Sequence, residues 1–154
     1  MSARFHVVVV GRPKASWANE AVADYARRLG RLGGVREDVV KPERFRGDVN
    51  AVRLAEAQRV QRLVGSRGTL VVLDERGDRC TTEQFAALVD EGRQAGPLWL
   101  VIGGPYGHDP GLRSAAWRVV RLSDLVLNHE VARVVLYEQL YRAMTWLEGL
   151  PYHH

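Results

Sequence analysis

The sequence predicts an α/β domain with a mostly parallel sheet flanked by helices. Short, nearly continuous apolar runs rich in Val, Leu and Ile recur along the chain, as expected of strands buried on both faces. Longer segments with a helical spacing of apolar residues separate these runs. No repeat, low-complexity tract or long linker interrupts the alternation, so we expect residues 1–154 to form a single domain.

The composition limits the classes of function. The 154 residues are 46% hydrophobic, which is enough for one core. The first apolar run is too short to span a membrane and no signal-peptide pattern follows it, which predicts a cytoplasmic protein. A net charge of +4 favours a polyanionic partner but is common among proteins that bind no nucleic acid. Cys80 is the only cysteine and the five histidines lack zinc-motif spacing, so we expect no disulfide framework and no metal site.

The first half of the chain contains three predicted strands and two predicted helices. Strands are expected at Phe5 to Val10 and Thr69 to Leu73, which are almost wholly apolar, and more weakly at Val35 to Val40. A helix from about Ser16 to Leu32 connects the strand at Phe5 to Val10 with the strand at Val35 to Val40. Its apolar face comprises Trp17, Ala21, Val22, Tyr25 and Leu29. A second helix precedes the third strand, with an apolar face of Leu54, Ala57, Val60, Leu63 and Val64.

The second half continues the alternation and ends in a long helix. Thr81 and Gln84 have the spacing of a capping box, so a third helix begins there and buries Phe85, Leu88 and Val89. Leu98 to Ile102 is a strongly apolar strand, and Trp117 to Leu122 is a weaker candidate. The last helix runs from about Glu130 to Leu147 and is expected to bury Val131, Val134, Val135, Leu140, Met144 and Leu147.

Ligand-binding segments are expected at the carboxyl ends of the parallel strands, where α/β sheets usually bind their ligands. Three segments have this position: Asp74 to Asp78, Gly103 to Asp109 and Ser123 to His129. The glycines of Gly103 to Gly107 allow a flat ligand to approach the backbone, although a tight turn is the simpler interpretation of that motif alone. The dinucleotide, P-loop and nucleophile-elbow patterns are missing from the sequence, which disfavours those functions.

Polar residues on the last helix, and one triplet elsewhere, have two interpretations each. His129 follows Asn128, a candidate N-cap, so the helix dipole disfavours protonation of its imidazole and leaves it able to accept a proton; a solvent-facing histidine is the alternative. Glu138 and Arg142 have the i,i+4 spacing of an exposed salt bridge. Phe45 lies between two arginines, as in single-strand nucleic-acid readers, but one such triplet is not diagnostic.

Four segments together form a distinctive pattern. They are Leu100 to Gly107, Leu125 to His129, Arg133 to Ala143 and Pro151-Tyr152-His153. These segments resemble the RlmH family of ribosomal large-subunit pseudouridine N3-methyltransferases, which belongs to the SPOUT superfamily. The opening of the chain is similar to that family as well, through Val9-Val10-Gly11, Trp17 and Tyr25 to Leu29, so the resemblance covers essentially the whole sequence.

The resemblance implies a SPOUT fold whose C-terminal segment forms a trefoil knot. Only the resemblance implies the knot, because chains in general avoid knots. It also implies a homodimer, in which two chains complete each site, and S-adenosylmethionine bound among the knot loops. By matching positions, the cofactor contacts are Leu73, Gly103, Gly104, Ser123, Asp124, Leu125, Val126, Leu127 and Asn128.

The implied reaction is methylation of N3 of a pseudouridine in 23S rRNA, with helix 69 as the expected position. Free RNA, the large subunit and the assembled ribosome are all open as substrates, and the assembled ribosome is favoured because a single domain without a separate RNA-binding module suits a preassembled surface. N3 is a poor nucleophile until it loses its proton, so catalysis needs a base. His129 is the first candidate, and Tyr152 and His153 are the second, since the tail folds over the active site in the resembled family. The expected RNA contacts are Arg133, Arg142 and His154, and the alternative role of the two arginines is to stabilise the developing imide anion.

Two residues depart from the family pattern. Asn128 stands where proline is common, which puts the backbone path beside the cofactor in question, and His154 stands where a lysine or arginine is usual, which lowers the positive charge of the tail. Another SPOUT methyltransferase, acting on transfer RNA or a different ribosomal base, is one alternative, against which Tyr152 and His153 argue. The other alternative is a silent ribosome-binding protein of the same fold, which would lack an open cofactor pocket.

Overall fold

Strands and helices alternate along the chain as the apolar pattern predicts. The computed structural model describes residues 3–154. Its strands are β1 Phe5–Val10, β2 Val35–Val40, β3 Thr69–Asp78, β4 Leu98–Ile102 and β5 Arg118–Val120. Its helices are α1 Ser16–Leu29, α2 Val49–Val64, α3 Thr82–Gly92, α4 Pro110–Ala115 and α5 His129–Leu147, and a short 3-10 helix, Arg93–Ala95, follows α3. Within the described residues, the helices are all too short or too polar to cross a membrane.

The strands form a parallel sheet between two layers of helices. The strand order is β2-β1-β4-β3-β5, and each neighbouring pair is parallel. Helices α1, α3 and α5 cover one face, and α2 and α4 cover the other. The side chains of β1 alternate accordingly: Phe5, Val7 and Val9 pack under the first layer, and Val8 packs under the second. The predicted fold class is therefore confirmed, while the trefoil knot stays a prediction.

β3 is longer than the predicted strand and ends irregularly. Leu73 and Asp78 both pair with Val120 of β5, so residues 74–77 loop out between two points of pairing. Gly77 allows the close approach to β5, because a Cβ at this position would lie 2.6 Å from the carbonyl carbon of Val120. The segment expected to be a loop after the strand is therefore a bulge held at both ends by the sheet.

The helix boundaries follow capping chemistry. Thr81 and Gln84 form the predicted capping box, with reciprocal hydrogen bonds between side chain and backbone. Helix α4 was not predicted, although Asp109 accepts a hydrogen bond from the Gly111 backbone at 2.8 Å and Pro110 occupies the first turn. Helix α1 ends at Leu29 and not at Leu32.

Three residues expected to be buried are exposed. Trp17 is 54% exposed, Leu54 49% and Val131 37%, so the prediction for these positions was wrong. Helix α5 packs against both α1 and α3, and its fully buried residues include Leu136 and Tyr137, which the predicted face omitted. A helix held between two neighbours buries a wider stripe than one apolar face accounts for.

Candidate functional site

A cleft of about 440 Å³ opens at the carboxyl ends of β3 and β4. Its walls are the β3 bulge, the loop after β4 and the segment between β5 and α5, so Leu73, Gly104 and Leu127 meet in one pocket as the sequence predicts. The volume lies within the range of about 300 to 1,000 Å³ usual for small-molecule sites. The cleft can therefore hold one nucleoside-sized ligand.

Nearly all the predicted cofactor residues line this cleft. Leu73, the two glycines Gly103 and Gly104, Ser123 and the stretch from Leu125 to Asn128 are on its walls. Asp124 is the exception: it does not line the cleft, and its carboxylate pairs with Arg79 and lies 3.2 Å from Arg121 Nε. Asp124 thus anchors the loop to its neighbours. The binding roles of the other residues stay predictions.

The glycines at the back of the cleft are required by close packing. A Cβ added to Gly103 would lie 3.0 Å from His108 Nε2, and one added to Gly104 would lie 3.1 Å from Val10 Cγ1. Those contacts are tighter than ordinary van der Waals packing, so a side chain at either position would displace a neighbour. The glycines keep the loop after β4 close to the sheet at the back of the cleft.

His108 joins two walls of the cleft and was not singled out from the sequence. Its ring is 8% exposed, and Nε2 donates a hydrogen bond to the Leu73 carbonyl at 2.9 Å. This bond ties the loop after β4 to the end of β3. Burial lowers the pKa of the imidazole and so favours the neutral ring, although the hydrogen bond to the Leu73 carbonyl and the charge of Asp74 oppose this shift. Its position at the end of the glycine-rich loop was the signal available in the sequence.

His129 is exposed at the start of α5 and borders two cavities. Asn128 is the predicted N-cap, since its side chain accepts hydrogen bonds from the Glu130 and Val131 amides at 2.8 and 3.1 Å. The imidazole lines the cleft and also a neighbouring pocket of about 210 Å³ that Arg12 and Lys14 help to form. A base at this position reaches both spaces, and its catalytic role stays a prediction.

Arg133 is held in a buried hydrogen-bond network. Its guanidinium donates two hydrogen bonds of 2.9 Å to the Glu37 carboxylate and one of 2.8 Å to Asn19 Oδ1. The Tyr137 hydroxyl donates to the same carboxylate at 2.8 Å, and burial, with the Glu37 charge, raises the pKa of this phenol. Arg133 is only 5% exposed but lines the pocket of about 210 Å³ beside Arg12 and Lys14, and its predicted RNA contact stays a prediction.

The tail residues pack at the opposite end of α5. Arg142 forms the predicted salt bridge with Glu138 at 2.9 Å, lies over the Tyr152 ring at 4.8 Å and is 3.0 Å from His153 Nδ1. Tyr152 donates to Glu138 at 2.8 Å. Along α5, Arg142 is about 20 Å from His129 at a rise of 1.5 Å per residue. Within one chain the tail lies away from the cleft and His154 is exposed, so the catalytic roles of Tyr152 and His153 and the RNA contacts of Arg142 and His154 stay predictions.

Comparisons with known proteins agree with this architecture. A family model described as predicted SPOUT methyltransferase matches residues 3–153. A ribosomal RNA large subunit methyltransferase H from Geotalea daltonii is 35% identical over 153 residues, which cover 98% of this chain and 99% of the relative. The protein of the same name from Paracidovorax citrulli is 43% identical over 150 residues, which cover 96% of each chain.

Solved structures show the same fold at low sequence identity. A probable methyltransferase from Bordetella pertussis aligns over 92% of this chain and 95% of its own, with a TM-score of 0.59 and 16% identity. A probable methylase family protein from Haemophilus influenzae aligns over 99% of this chain and 71% of its own, with a TM-score of 0.61 and 13% identity. With the family model spanning residues 3–153 and relatives that match nearly end to end, the chain belongs to the SPOUT methyltransferase family.

Proposed function

We propose that this chain methylates N3 of a pseudouridine in 23S rRNA, in helix 69, with S-adenosylmethionine as the methyl donor. The observation that carries the proposal is a nucleoside-sized cleft formed by three loops at the carboxyl ends of the sheet. The cleft occurs in a chain that matches proteins named ribosomal RNA large subunit methyltransferase H along nearly its whole length. A substrate in the ribosome would place the enzyme in the cytoplasm.

The residues of the cleft fit S-adenosylmethionine, which SPOUT methyltransferases use. Leu73, Ile102 and Leu127 offer apolar contacts suited to an adenine ring. The carboxylates of Asp74 and Glu75 lie on the β3 wall, where they suit the cationic groups of the ligand. Bound there, the cofactor supplies an electrophilic methyl group. The residues of this chain hold and orient it and exclude water from the reacting atoms.

His129 is the proposed general base. N3 of pseudouridine is an imide nitrogen that becomes nucleophilic when it loses its proton, and a base adds about 10²- to 10⁴-fold to the rate. The imidazole lines both the cofactor cleft and the pocket beside Arg12 and Lys14. We assign that pocket to the target base, because a group between the two cavities can take the proton while the nitrogen faces the methyl group.

We also propose that a homodimer completes each site. Tyr152 and His153 pack near the far end of their own α5, so they can act at a cleft only if the tail of a second chain reaches it. Leu125 and Val126, at the edge of the cleft, are 77% and 76% exposed. Apolar side chains this exposed beside a ligand site are suited to cover by a partner subunit.

The direct test is mass mapping of ribosomal RNA. Ribosomes from a strain that lacks this protein are incubated with the purified enzyme and S-adenosylmethionine, and protein-free ribosomal RNA is treated in parallel. We expect one added methyl group on a pseudouridine of helix 69 in assembled ribosomes and little on free RNA. Methylation of a different base, or of transfer RNA only, would refute the proposed substrate. Absence of cofactor binding in calorimetry would favour a silent ribosome-binding protein.

Mixing two inactive variants tests the shared site. One variant carries His129→Ala and the other carries Tyr152→Phe with His153→Ala. If cleft and tail come from different chains, an equal mixture after subunit exchange regains about one quarter of wild-type activity, because half the dimers are mixed and each has one intact site. If the tail acts on its own chain, the mixture stays inactive, and the shared site is refuted.

A further inference from the structure

Two exposed aromatic rings from different loops stack at the rim of the cleft. Phe45 lies in the loop between β2 and α2, and Tyr106 lies in the loop after β4, which lines the cleft. Their ring centroids are 5.4 Å apart with an angle of 15° between the planes. Phe45 is 47% exposed and Tyr106 36%, so the pair keeps an open aromatic face. The Tyr106 carbonyl accepts a hydrogen bond from Arg53 Nε at 2.6 Å, which fixes this part of the loop on α2.

Positive charge surrounds the pair. Arg44 and Arg46 flank Phe45 along the chain, and Arg53 is hydrogen-bonded to the Tyr106 carbonyl. In the part of the chain that the structure describes, these arginines form no salt bridge.

The acidic residues of the same loop are already engaged. Glu43 pairs with Arg59 at 3.2 Å, and this interaction lowers the pKa of its carboxyl. Asp48 caps α2 by accepting from the Asn50 and Ala51 amides at 2.9 and 3.3 Å. Glu75 lies on another wall of the cleft, the β3 bulge, and not in this loop. The arginines around the rings are therefore available to an anionic partner.

We propose that this surface, formed by Phe45, Tyr106, Arg44, Arg46 and Arg53, binds an unpaired nucleotide of the RNA substrate. A base stacks on the open face of Phe45, and the arginines contact the adjacent phosphates, which is the combination found in proteins that bind single-stranded RNA. Tyr106 lines the cofactor cleft, which shares Gly103 and His129 with the pocket assigned to the target base, so the stacked nucleotide lies at the rim of the same active site. The inference rests on the proposed function and adds to it a contact for the RNA strand at the rim of the active site.

Methylation kinetics with whole ribosomes test the stacking contact. The probe is 70S ribosomes from the strain lacking the enzyme, with radiolabelled S-adenosylmethionine. Phe45→Ala is expected to raise the KM for ribosomes about 10-fold, as the loss of one base stack predicts, with kcat and the Kd for cofactor unchanged. Phe45→Trp retains a stacking ring and is expected to keep the wild-type KM. The thermal midpoint controls for folding and is expected to fall by only a few degrees, because Phe45 is half exposed and loses a single ring contact, with Tyr106.

Salt dependence tests the phosphate contacts. Arg46→Gln is expected to reduce the slope of log Kd against log salt for ribosome binding by about 1, the effect of one lost phosphate contact. Arg62→Gln is the matched control, because Arg62 is exposed in the last turn of α2 and does not line the cleft, whereas Arg46 lies in the loop before that helix. An unchanged slope for Arg46→Gln, or an equal change for both variants, would contradict the phosphate contact.

The outcomes separate this inference from the proposed function. If the wild-type enzyme methylates ribosomes and Phe45→Ala keeps the wild-type KM, the stacking surface is refuted and the proposed function stands. If the wild-type enzyme neither binds nor methylates ribosomes, the proposed function fails and this inference fails with it. If Phe45→Ala instead lowers the molecular mass in sedimentation, a second copy of the chain occupies the surface, and the RNA assignment is wrong.

Discussion

Replacing Arg133 with Met is expected to destabilise the fold, because the guanidinium belongs to a buried network. The change removes three hydrogen bonds, two to Glu37 and one to Asn19. Removing one partner of a buried ion pair costs about 3–5 kcal/mol. The Glu37 side chain is 20% exposed and still accepts a hydrogen bond from Tyr137, so we expect the lower end, about 3 kcal/mol. For a domain of this size, that corresponds to a fall in Tm of about 6–12 °C.

The assay is thermal and urea unfolding, followed by circular dichroism at one fixed protein concentration. Arg142→Met is the control, because the Arg142–Glu138 pair is more exposed and is expected to contribute less than about 1 kcal/mol. If Arg133→Met kept the wild-type Tm and urea midpoint but raised the KM for ribosomes, Arg133 would be an RNA ligand. That result would refute a structural role for the buried guanidinium.

Three further predictions concern the cleft and the start of α5. His129→Ala is expected to lower single-turnover methylation about 10²- to 10⁴-fold with an unchanged cofactor Kd, and a wild-type rate at every pH would remove His129 as the base. The pKa of His108 is lower in the folded state than its unfolded value of about 6.5. The neutral ring therefore contributes fully to the free energy of unfolding above about pH 6.5, and this contribution is lost as the pH falls below that value. Urea unfolding between pH 7 and 5 should therefore show a steeper loss for wild type than for His108→Gln, and parallel curves would contradict the burial argument. Asn128→Ala is expected to cost about 1 kcal/mol in urea unfolding while Asn128→Asp keeps the cap, and equal stability of the two variants would show that the cap contributes nothing.

Local signals in the sequence predicted most of the fold. Strand positions follow from short apolar runs, and the capping box at Thr81 is a relation between near neighbours that a sequence can carry. The Asn128 cap is local in the same way. The exposed Trp17 and Val131 were misjudged because both lie in the first turn of a helix, where apolar spacing does not tell whether another element covers the side chain.

The candidate site was predicted in part, for a related reason. The resemblance located the loops that line the cleft, and the parallel sheet brings their strand ends together. Contacts between residues that are far apart in the sequence could not be predicted from local spacing. Arg133 contacts Glu37 across 96 positions of sequence, and His108 contacts Leu73 across 35, so neither partner could be inferred from spacing. The same holds for the tail, whose position depends on Glu138 and Arg142.

The bulge in β3 has a consequence for how a ligand enters the cleft. Residues 74–77 are clamped between two pairings with the same residue, Val120, and Gly77 lies against its backbone. A segment held at both ends has few alternative conformations in the free protein. Binding of a nucleoside beside it therefore costs little conformational entropy on this side of the cavity. Inserting one residue into this segment is expected to break the pairing of Asp78 with β5. The side chains that contact the ligand would remain, but the ligand's affinity is expected to fall because binding would then have to order the segment.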